Sequence, residues 1–251
     1  MNSILITGGS GKVGFQLVNH FLQQDYTVVT TSRSKESFLK KRGAELKGNW
    51  EGKLKIIEVD FAGSNAVGTI LGFLKEHAID LKTVVHNARS LEFLKIEKDT
   101  SVSDENFAGE FYMDVIFPYR LTLEILKTNL GLNNVVFISS MYGVVAPTPG
   151  LYENFPESSP INYGVSKAAQ IHLTKELAVR LGPEVRVNCV SFGGIKGRAN
   201  LDFEKRYHKL APQQKMLEEH EVVGPVDYLV SESSRNMTGQ NLIIDGGWTI
   251  W

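Results

Sequence analysis

At 251 residues, the chain is long enough for one large domain or two small ones. A formal net charge of −1 offers no basic surface to nucleic acid, and one cysteine excludes an internal disulfide framework and a cysteine-rich zinc site. No stretch reaches the ~18 apolar residues of a membrane span, and the start of the chain does not look like a signal peptide. The six histidines show no metal-binding spacing. We therefore expect a cytoplasmic protein with no metal, no membrane partner and no nucleic-acid partner.

Short apolar runs alternate with longer amphipathic stretches along the chain. They predict strands at 3–7, 26–31, 54–60, 83–88, 134–140, 185–192 and 240–245, and helices at 13–24, 67–77, 104–129 and 163–182. Pro118 lies inside the third of these helices as a kink-forming residue. The alternation predicts one α/β domain over residues 1–251: a doubly wound, mostly parallel seven-stranded sheet with helices on both faces. Ligands of such sheets lie beyond the carboxyl ends of the strands.

A glycine cluster follows the first strand and leads directly into a helix. The segment TGGSGKVG, residues 7–14, permits a tight turn and lets a pyrophosphate approach the amide groups of the helix N-terminus. It is not a Walker A loop, because no Gly-Lys-Ser/Thr ending follows at the right spacing. Its place between a strand and a helix predicts a nucleotide site; the alternative is a plain turn and helix start.

The residues after the second strand indicate which cofactor is bound. An NAD site usually has Asp or Glu there to accept a hydrogen bond from the ribose 2′-OH, but this chain has Arg33. Lys12, in the glycine loop, is a second cation that could reach the same ribose. Two cations and no carboxylate suit a 2′-phosphate, so we predict NADP(H) as the preferred cofactor and NAD(H) as the other candidate. The alternative is that both cations are solvated surface charges.

Other strand ends carry further candidates. Asp60 accepts from an adenine amino group or caps the next helix, and Asn87 meets the cofactor or holds strand ends together. A serine at the end of the fifth strand faces the crevice, and the glycines of residues 191–197 permit close approach to a flat ring. His86 and Cys189 lie in apolar runs and are expected to be packed in the core.

Taken in order, these segments resemble the short-chain dehydrogenase/reductase family over nearly the whole chain. The motifs that carry the resemblance are TGGSGKVG, HNA, ISS, YGVSK, VRVNCVSFGG and TGQNLIIDGGWT. A tyrosine four residues before a lysine says little alone, but its position after the fifth strand and downstream of a dinucleotide loop is typical of this family. The resemblance implies a Rossmann-like fold, a nicotinamide cofactor, a small-molecule substrate, and a homodimer or homotetramer.

The resemblance also implies that Ser140, Tyr163 and Lys167 carry the chemistry. Tyr163 would be the general acid or base toward a substrate oxygen, with Lys167 favouring its ionised form. Ser140 would hydrogen-bond the same oxygen, and Lys167 would also hold the nicotinamide ribose. The predicted cofactor contacts are Gly8, Ser10, Gly11, Lys12, Val13, Gly14, Arg33, Asp60, Phe61, Asn87, Ala88, Tyr163, Lys167, Gly193 and Ile195.

Some positions depart from the family's pattern. Asp114 stands where a helical asparagine often completes the proton relay, and we include it among the catalytic candidates. Arg89 replaces the usual glycine after the asparagine and alanine of HNA, and it is expected to narrow the crevice. Lys12 occupies a position that is often glycine, and Phe192 replaces the usual proline before the glycines.

The segment between Ser140 and Tyr163, residues 141–162, is longer than in simple members of the family. It is similar to the corresponding segment of sugar-nucleotide epimerases and dehydratases, and of oxidoreductases in bacterial surface-sugar and flagellin-glycan pathways. Its candidates for binding a polyol are Tyr142, Tyr152, Glu153 and Asn154. The alternative is a surface loop with no ligand.

Three functional hypotheses follow. The leading one is an NADP(H)-dependent oxidoreductase that interconverts a hydroxyl and a carbonyl on a small, polar, sugar-like substrate. The second is an epimerase or dehydratase with a recycled cofactor. The spacing Thr-Gly-x-x-Gly-x-x-Gly resembles that of the family's extended, sugar-nucleotide-modifying members and favours this hypothesis, whereas the chain length opposes it, because such members usually have a larger C-terminal substrate domain. The third is a redox-sensing protein that binds NADP(H) without catalysis. Polar and aromatic loops favour a sugar-like molecule over a steroid or a fatty chain.

Overall fold

Seven parallel strands form the centre of the computed structural model, which describes residues 2–47, 50–197 and 199–251. The strands are β1 (Ser3–Ile6), β2 (Thr27–Ser32), β3 (Leu54–Glu58), β4 (Thr83–His86), β5 (Asn134–Ser140), β6 (Arg186–Phe192) and β7 (Asn241–Ile244). Their order in the sheet is β3-β2-β1-β4-β5-β6-β7, and every neighbouring pair is parallel. The order reverses between β1 and β4, where doubly wound sheets bind their ligands.

Helices cover both faces of this sheet. They are α1 (Lys12–Gln23), α2 (Lys35–Arg42), α3 (Ala66–Glu76), α4 (Asp104–Phe111), α5 (Phe117–Leu126), α6 (Phe155–Ser158), α7 (Ile161–Leu181), α8 (Leu201–Leu210) and α9 (Val223–Val230). Side chains of α1 and α9 belong to one apolar cluster, whereas those of α3, α5 and α7 belong to another. Within the described ranges, no helix has the length and apolar character that crossing a membrane requires.

The two apolar clusters lie on opposite faces of the sheet, because successive residues of a strand point to opposite sides. Ile4 and Ile6 pack on the α1 side, and Leu5 between them packs on the other side. All three are fully buried, and burial of one such side chain contributes ~1.5–3 kcal/mol. Burial on both faces explains why the strands read as continuous apolar runs.

The predicted fold is confirmed. All seven predicted strands are present, with ends that agree with the structure within two residues. The helices at 13–24, 67–77 and 163–182 correspond to α1, α3 and α7. Four further helices, α2, α6, α8 and α9, were not predicted.

The long helix predicted over residues 104–129 contains one π-helical turn, Tyr112–Ile116. Pro118 follows this turn and has no N–H to donate to the carbonyl of Asp114, four residues earlier. That carbonyl instead accepts a hydrogen bond from Nε2 of Gln170 on α7, at 3.0 Å. The effect of the proline is therefore a widened turn that ties this helix to α7.

His86 and Cys189 are core residues, as predicted. Nε2 of His86 and Oγ1 of Thr122 are 2.8 Å apart, and burial lowers the pKa of His86 to about 3. Cys189 is a buried free thiol, and burial raises its pKa to about 12. These values leave both side chains neutral near pH 7 and fit a packing role.

Candidate active site

A cleft of about 930 Å³ lies beyond the carboxyl ends of the strands. Residues that follow β1 through β6 line it, so it spans the point where the strand order reverses. Every residue predicted to contact the cofactor lines this cleft, and so does Ser140. Of the four candidates for binding a polyol, Tyr142, Tyr152 and Glu153 line the cleft, whereas Asn154 is the residue that precedes α6.

Glycine is required at two positions of the loop between β1 and α1. Gly8 has a φ of +71°, and a Cβ there would lie 2.8 Å from Cα of Ala88. A Cβ on Gly14 would lie 2.4 Å from the carbonyl oxygen of Gly8. Helix α1 begins at Lys12 with Gly11 as its N-cap residue, so the first N–H groups of the helix have no intrahelical acceptor. This loop fits the pyrophosphate of a dinucleotide.

Hydrogen bonds between the ends of β1 and β4 form the floor of the cleft. Oγ1 of Thr7 accepts from the backbone N–H groups of Asn87 and Ala88, at 2.9 and 3.0 Å. Nδ2 of Asn87 donates to the carbonyl of Thr7 at 2.9 Å. Of the two roles considered for Asn87, the structure shows the one that holds the strand ends together.

The two cations considered for the cofactor ribose have different partners. Arg33 is largely exposed and forms an ion pair with Glu92 at 3.1 Å. Nζ of Lys12 forms an ion pair with Glu219 at 3.0 Å and donates to the carbonyl of Lys196 at 2.7 Å. Lys12 therefore braces the loop that follows β6. A contact of either cation with the cofactor ribose stays a prediction.

Asp60 stabilises a turn at the end of β3. Its Oδ1 accepts a hydrogen bond from the N–H of Ala62 at 3.1 Å. Helix α3 begins at Ala66 with Asn65 as its N-cap residue. The capping role considered for Asp60 is therefore wrong, because the chain makes a further turn before the helix starts; contact with an adenine stays a prediction.

The two serines at the end of β5 have different surroundings. Oγ of Ser139 donates to the carbonyl of Lys167 at 3.0 Å and so fastens β5 to α7. Oγ of Ser140 accepts from the N–H of Tyr142 at 3.2 Å, at the cleft. A Cβ on Gly143 would lie 2.7 Å from the backbone carbon of Lys167, so glycine allows the turn after β5 to touch α7. This contact holds the turn that follows Ser140 against α7 at Lys167.

Lys167 is buried and held by three acceptors. Its Nζ lies 2.8 Å from Oδ1 of Asp114, 3.2 Å from the carbonyl of Ile138 and 3.4 Å from Oε1 of Gln170. Burial alone lowers the pKa of Lys167, but the charges of Asp114 and Tyr163 outweigh burial and raise it above its ordinary value. The ammonium lies 5.9 Å from the centroid of the Tyr163 ring. Lys167 is thus a fixed cation beside the tyrosine.

A second buried carboxyl group, Glu110, accompanies Asp114 and was not predicted. Both oxygens of Glu110 and Oδ2 of Asp114 are buried without a hydrogen-bond partner in the described part of the chain. Burial and, after it, the charge of Asp114 raise the pKa of Glu110 to about 7, although Lys167 and Arg89 act in the opposite direction. The signal that could have found Glu110 is its place four residues before Asp114, which puts both on one helix face.

Contacts on two sides hold the start of α7. Nδ2 of the fully buried Asn162 donates to the carbonyls of Phe93 and Asn106, at 2.8 and 3.1 Å. The next residue, Tyr163, has the guanidinium of Arg89 over its ring, with 5.0 Å between Cζ and the ring centroid. Arg89 also lines the cleft, which agrees with the expected narrowing of the crevice.

The segment of residues 141–162 forms one wall of the cleft and packs against α8. Leu151 is fully buried, and its carbonyl accepts from Nε of Arg206 at 2.7 Å. The hydroxyl oxygens of Tyr142 and Tyr152 are 2.7 Å apart. The segment is therefore anchored, and both of these tyrosines line the cleft.

A dinucleotide loop and a tyrosine beside a buried lysine, joined in one cleft, define the class of nicotinamide-dependent oxidoreductases. A family model described as enoyl-(acyl carrier protein) reductase matches residues 10–249. The chain therefore belongs to the short-chain dehydrogenase/reductase family, and the resemblance seen in its motifs is confirmed.

Three similar proteins illustrate its place in that family. Post-translational flagellin modification protein A of Campylobacter coli is 38% identical over 117 residues, or 46% of this chain and 45% of that protein. The ribulose-forming D-arabinitol 2-dehydrogenase of Candida albicans is 25% identical over 99% of this chain and 92% of its own length. The crystal structure of a short-chain dehydrogenase from Leptospira borgpetersenii with bound NAD+ is 28% identical and has a TM-score of 0.84, covering 99% of this chain and 92% of that chain. The match to the flagellin protein thus spans less than half of that relative.

Proposed function

We propose that this protein is an NADP(H)-dependent oxidoreductase that interconverts a hydroxyl and a carbonyl group on a small, sugar-like substrate. The observation that carries the proposal is the buried Lys167 fixed beside Tyr163, in the same cleft as the glycine loop. A phenol with a cation at its ring, in the same cleft as Ser140, suits binding and protonation of one substrate oxygen.

Each of these side chains has a proposed role in the reaction. When bound, the nicotinamide cofactor supplies or accepts the hydride. Tyr163 gives the proton of its hydroxyl to a carbonyl oxygen in reduction, and it takes a proton from an alcohol in oxidation. Oγ of Ser140 donates a hydrogen bond to the same oxygen, and the ammonium of Lys167 stabilises the tyrosinate. Asp114 acts through Lys167, which it holds in place.

The residues at the ends of β1 and β2 fit the cofactor. The pyrophosphate would be held at the N-terminus of α1, where Gly14 and Gly8 leave no room for a Cβ. Arg33 would bind the 2′-phosphate of NADP(H), because the residue after β2 is a cation and not the carboxylate that NAD(H) sites use. The ion pair of Arg33 with Glu92 is exposed and therefore weak, so exchanging it for a phosphate contact costs little.

The sugar-like substrate is proposed from the cleft wall and from two relatives. The hydroxyls of Tyr142 and Tyr152 and the carboxylate of Glu153 offer hydrogen-bond partners to a substrate with several hydroxyl groups. The Candida albicans relative is named for D-arabinitol, and the Campylobacter coli relative is named for flagellin modification. A polyol or a ketose suits this wall better than an apolar molecule does.

A substrate screen followed by one variant tests the proposal. NADPH absorbance is monitored with a panel of ketoses and their polyols, starting from ribulose and D-arabinitol. With the substrate found, Tyr163→Phe is expected to lower kcat by about 100-fold or more, while NADPH binding, measured by its fluorescence, is unchanged. Tyr228→Phe, at an exposed tyrosine on α9, is the control and keeps full activity. Full turnover by Tyr163→Phe would show that another group transfers the proton.

We also propose that the chain assembles as a homodimer or homotetramer through α5 and α7. Ile116, Val165 and Val179 expose apolar side chains on or beside these helices, and Val179 is 84% exposed. Apolar side chains on adjacent long helices are typical of a surface that a second copy covers. Light scattering after size-exclusion chromatography measures the assembly, and a monomer at micromolar concentration would contradict it.

A further inference from the structure

Two cations that differ in their partners lie near the ring of Tyr163. Cζ of Arg89 is 5.0 Å from the centroid of the Tyr163 ring, and Nζ of Lys167 is 5.9 Å from it. Lys167 is buried, and Oδ1 of Asp114 is 2.8 Å from its ammonium. Arg89 is exposed, and it forms no ion pair with a carboxylate in the part of the chain that the structure describes.

The ion pair of Lys167 with Asp114 limits how strongly Lys167 alone can stabilise an ionised Tyr163. A cation and an anion 2.8 Å apart act on a more distant group as a dipole, whose potential falls off faster than that of a single charge. The pair is almost completely buried, so solvent screens neither partner preferentially. Asp114 therefore offsets much of the positive potential that Lys167 produces at the phenol.

The other titratable groups near Tyr163 do not replace that potential. The hydroxyls of Tyr142 and Tyr152 face it from the cleft wall, and burial raises the pKa of both, so they stay neutral. Glu110, which interacts with Asp114, Lys167 and Arg89, can only be neutral or negative. Within the described ranges, Arg89 is thus the cation at the Tyr163 ring that has no carboxylate at ion-pair distance.

We propose that Arg89 is a positioning residue that adds positive potential for ionising Tyr163 to that of Lys167, which Asp114 offsets in part. This inference rests on the proposed function, because it concerns the same proton transfer. In the reducing direction, the phenolic O–H bond breaks, its electron pair stays on the oxygen of Tyr163, and the proton forms a bond to the substrate oxygen. The guanidinium over the ring stabilises the resulting phenolate by its charge.

An ultraviolet titration of tyrosinate tests this inference without a substrate. Tyrosinate absorbance is followed with rising pH, with and without NADP+, and subtraction of the matching Tyr163→Phe protein isolates the contribution of Tyr163. Arg89→Met is expected to raise the midpoint by about one pH unit, the shift from a unit charge ~6 Å away at an effective dielectric constant of ~40. Arg89→Gln is expected to do the same, and Arg89→Lys is expected to keep most of the wild-type midpoint.

Charge compensation provides a second arm of the experiment. Asp114→Asn leaves the charge of Lys167 unmatched and is expected to lower the midpoint. When it is combined with Arg89→Met, the midpoint is expected to return toward the wild-type value. Lys95→Met is the control, since Lys95 is an exposed cation that faces Glu97, and it leaves the midpoint unchanged.

Two results would overturn the inference. One is a wild-type midpoint in both Arg89→Met and Arg89→Gln. The other is an upward shift that Asp114→Asn does not offset, because a shift caused by repacking would not respond to charge at position 114. Failure of the proposed function would appear differently, as full turnover by Tyr163→Phe with the titration results unaffected.

Discussion

Replacing Glu110 by glutamine tests how the buried carboxyl pair behind the cleft is charged. The side chain of Glu110 is fully buried, and neither of its oxygens has a hydrogen-bond partner within the described residues. Burial, followed by the charge of Asp114, raises its pKa from 4.5 to about 7. Glutamine has nearly the same shape and no charge at any pH, so Glu110→Gln removes the titration and keeps the packing.

The magnitude follows from the difference in proton binding between the folded and the unfolded chain. An unfolded glutamate releases its proton near its ordinary pKa of 4.5, whereas the folded protein keeps this proton up to about pH 7. The contribution of Glu110 to stability is therefore fully present below the ordinary pKa and is lost as the pH rises through about 7. At ~1.4 kcal/mol per pKa unit the loss is at most about 3 kcal/mol, since water entering the site reduces it.

Denaturant unfolding of both proteins between about pH 5 and about pH 8 measures this effect. Relative to the wild type, Glu110→Gln is expected to gain up to about 3 kcal/mol of unfolding free energy across that range, or about 6–12 °C in Tm. Glu105→Gln, at an exposed position of the same helix, is the matched control and shows no such gain. A free-energy difference that stays constant with pH would contradict the raised pKa, because Glu110 would then titrate alike in the folded and unfolded chains.

Two further predictions concern the cofactor and the framework of the site. Arg33→Ala is expected to weaken NADPH binding about tenfold, as followed by cofactor fluorescence, and to leave NADH binding unchanged; Lys41→Ala is the control. An equal loss for both cofactors would contradict a 2′-phosphate contact. Gly143→Ala is expected to lower the unfolding free energy by ~1–3 kcal/mol, because its Cβ would lie 2.7 Å from the backbone of Lys167. An unchanged denaturant midpoint would contradict that crowding.

The strands and long helices can be predicted from the sequence because burial produces the apolar patterns that identify them. Helices that lack a clear apolar pattern cannot be predicted in this way. In α2, seven of eight residues are polar or only partly buried, and Phe38 alone is buried. Helix α9 is apolar on most sides and carries Gly224 and Pro225 in its first turn, where proline is tolerated but reads as a break in the pattern.

The members of the site can be predicted from motifs, but several of their contacts cannot. Tyr163 and Lys167 share a helix and lie next to a strand end, so their common location follows from local spacing. The ion pair of Lys12 with Glu219 joins residues far apart in the chain, and it depends on how two loops meet across the cleft. The position of Arg89 over Tyr163 likewise depends on side-chain direction, which spacing does not define.

Transfer of deuterium from the cofactor to the product tests most directly whether this protein is an oxidoreductase in net turnover. NADPH that carries deuterium at the transferred position is incubated with the ketose that the screen identifies, and the product is examined by mass spectrometry. We predict one deuterium on the former carbonyl carbon for each NADPH consumed. Product without deuterium, or product formed with no net consumption of NADPH, would contradict this function.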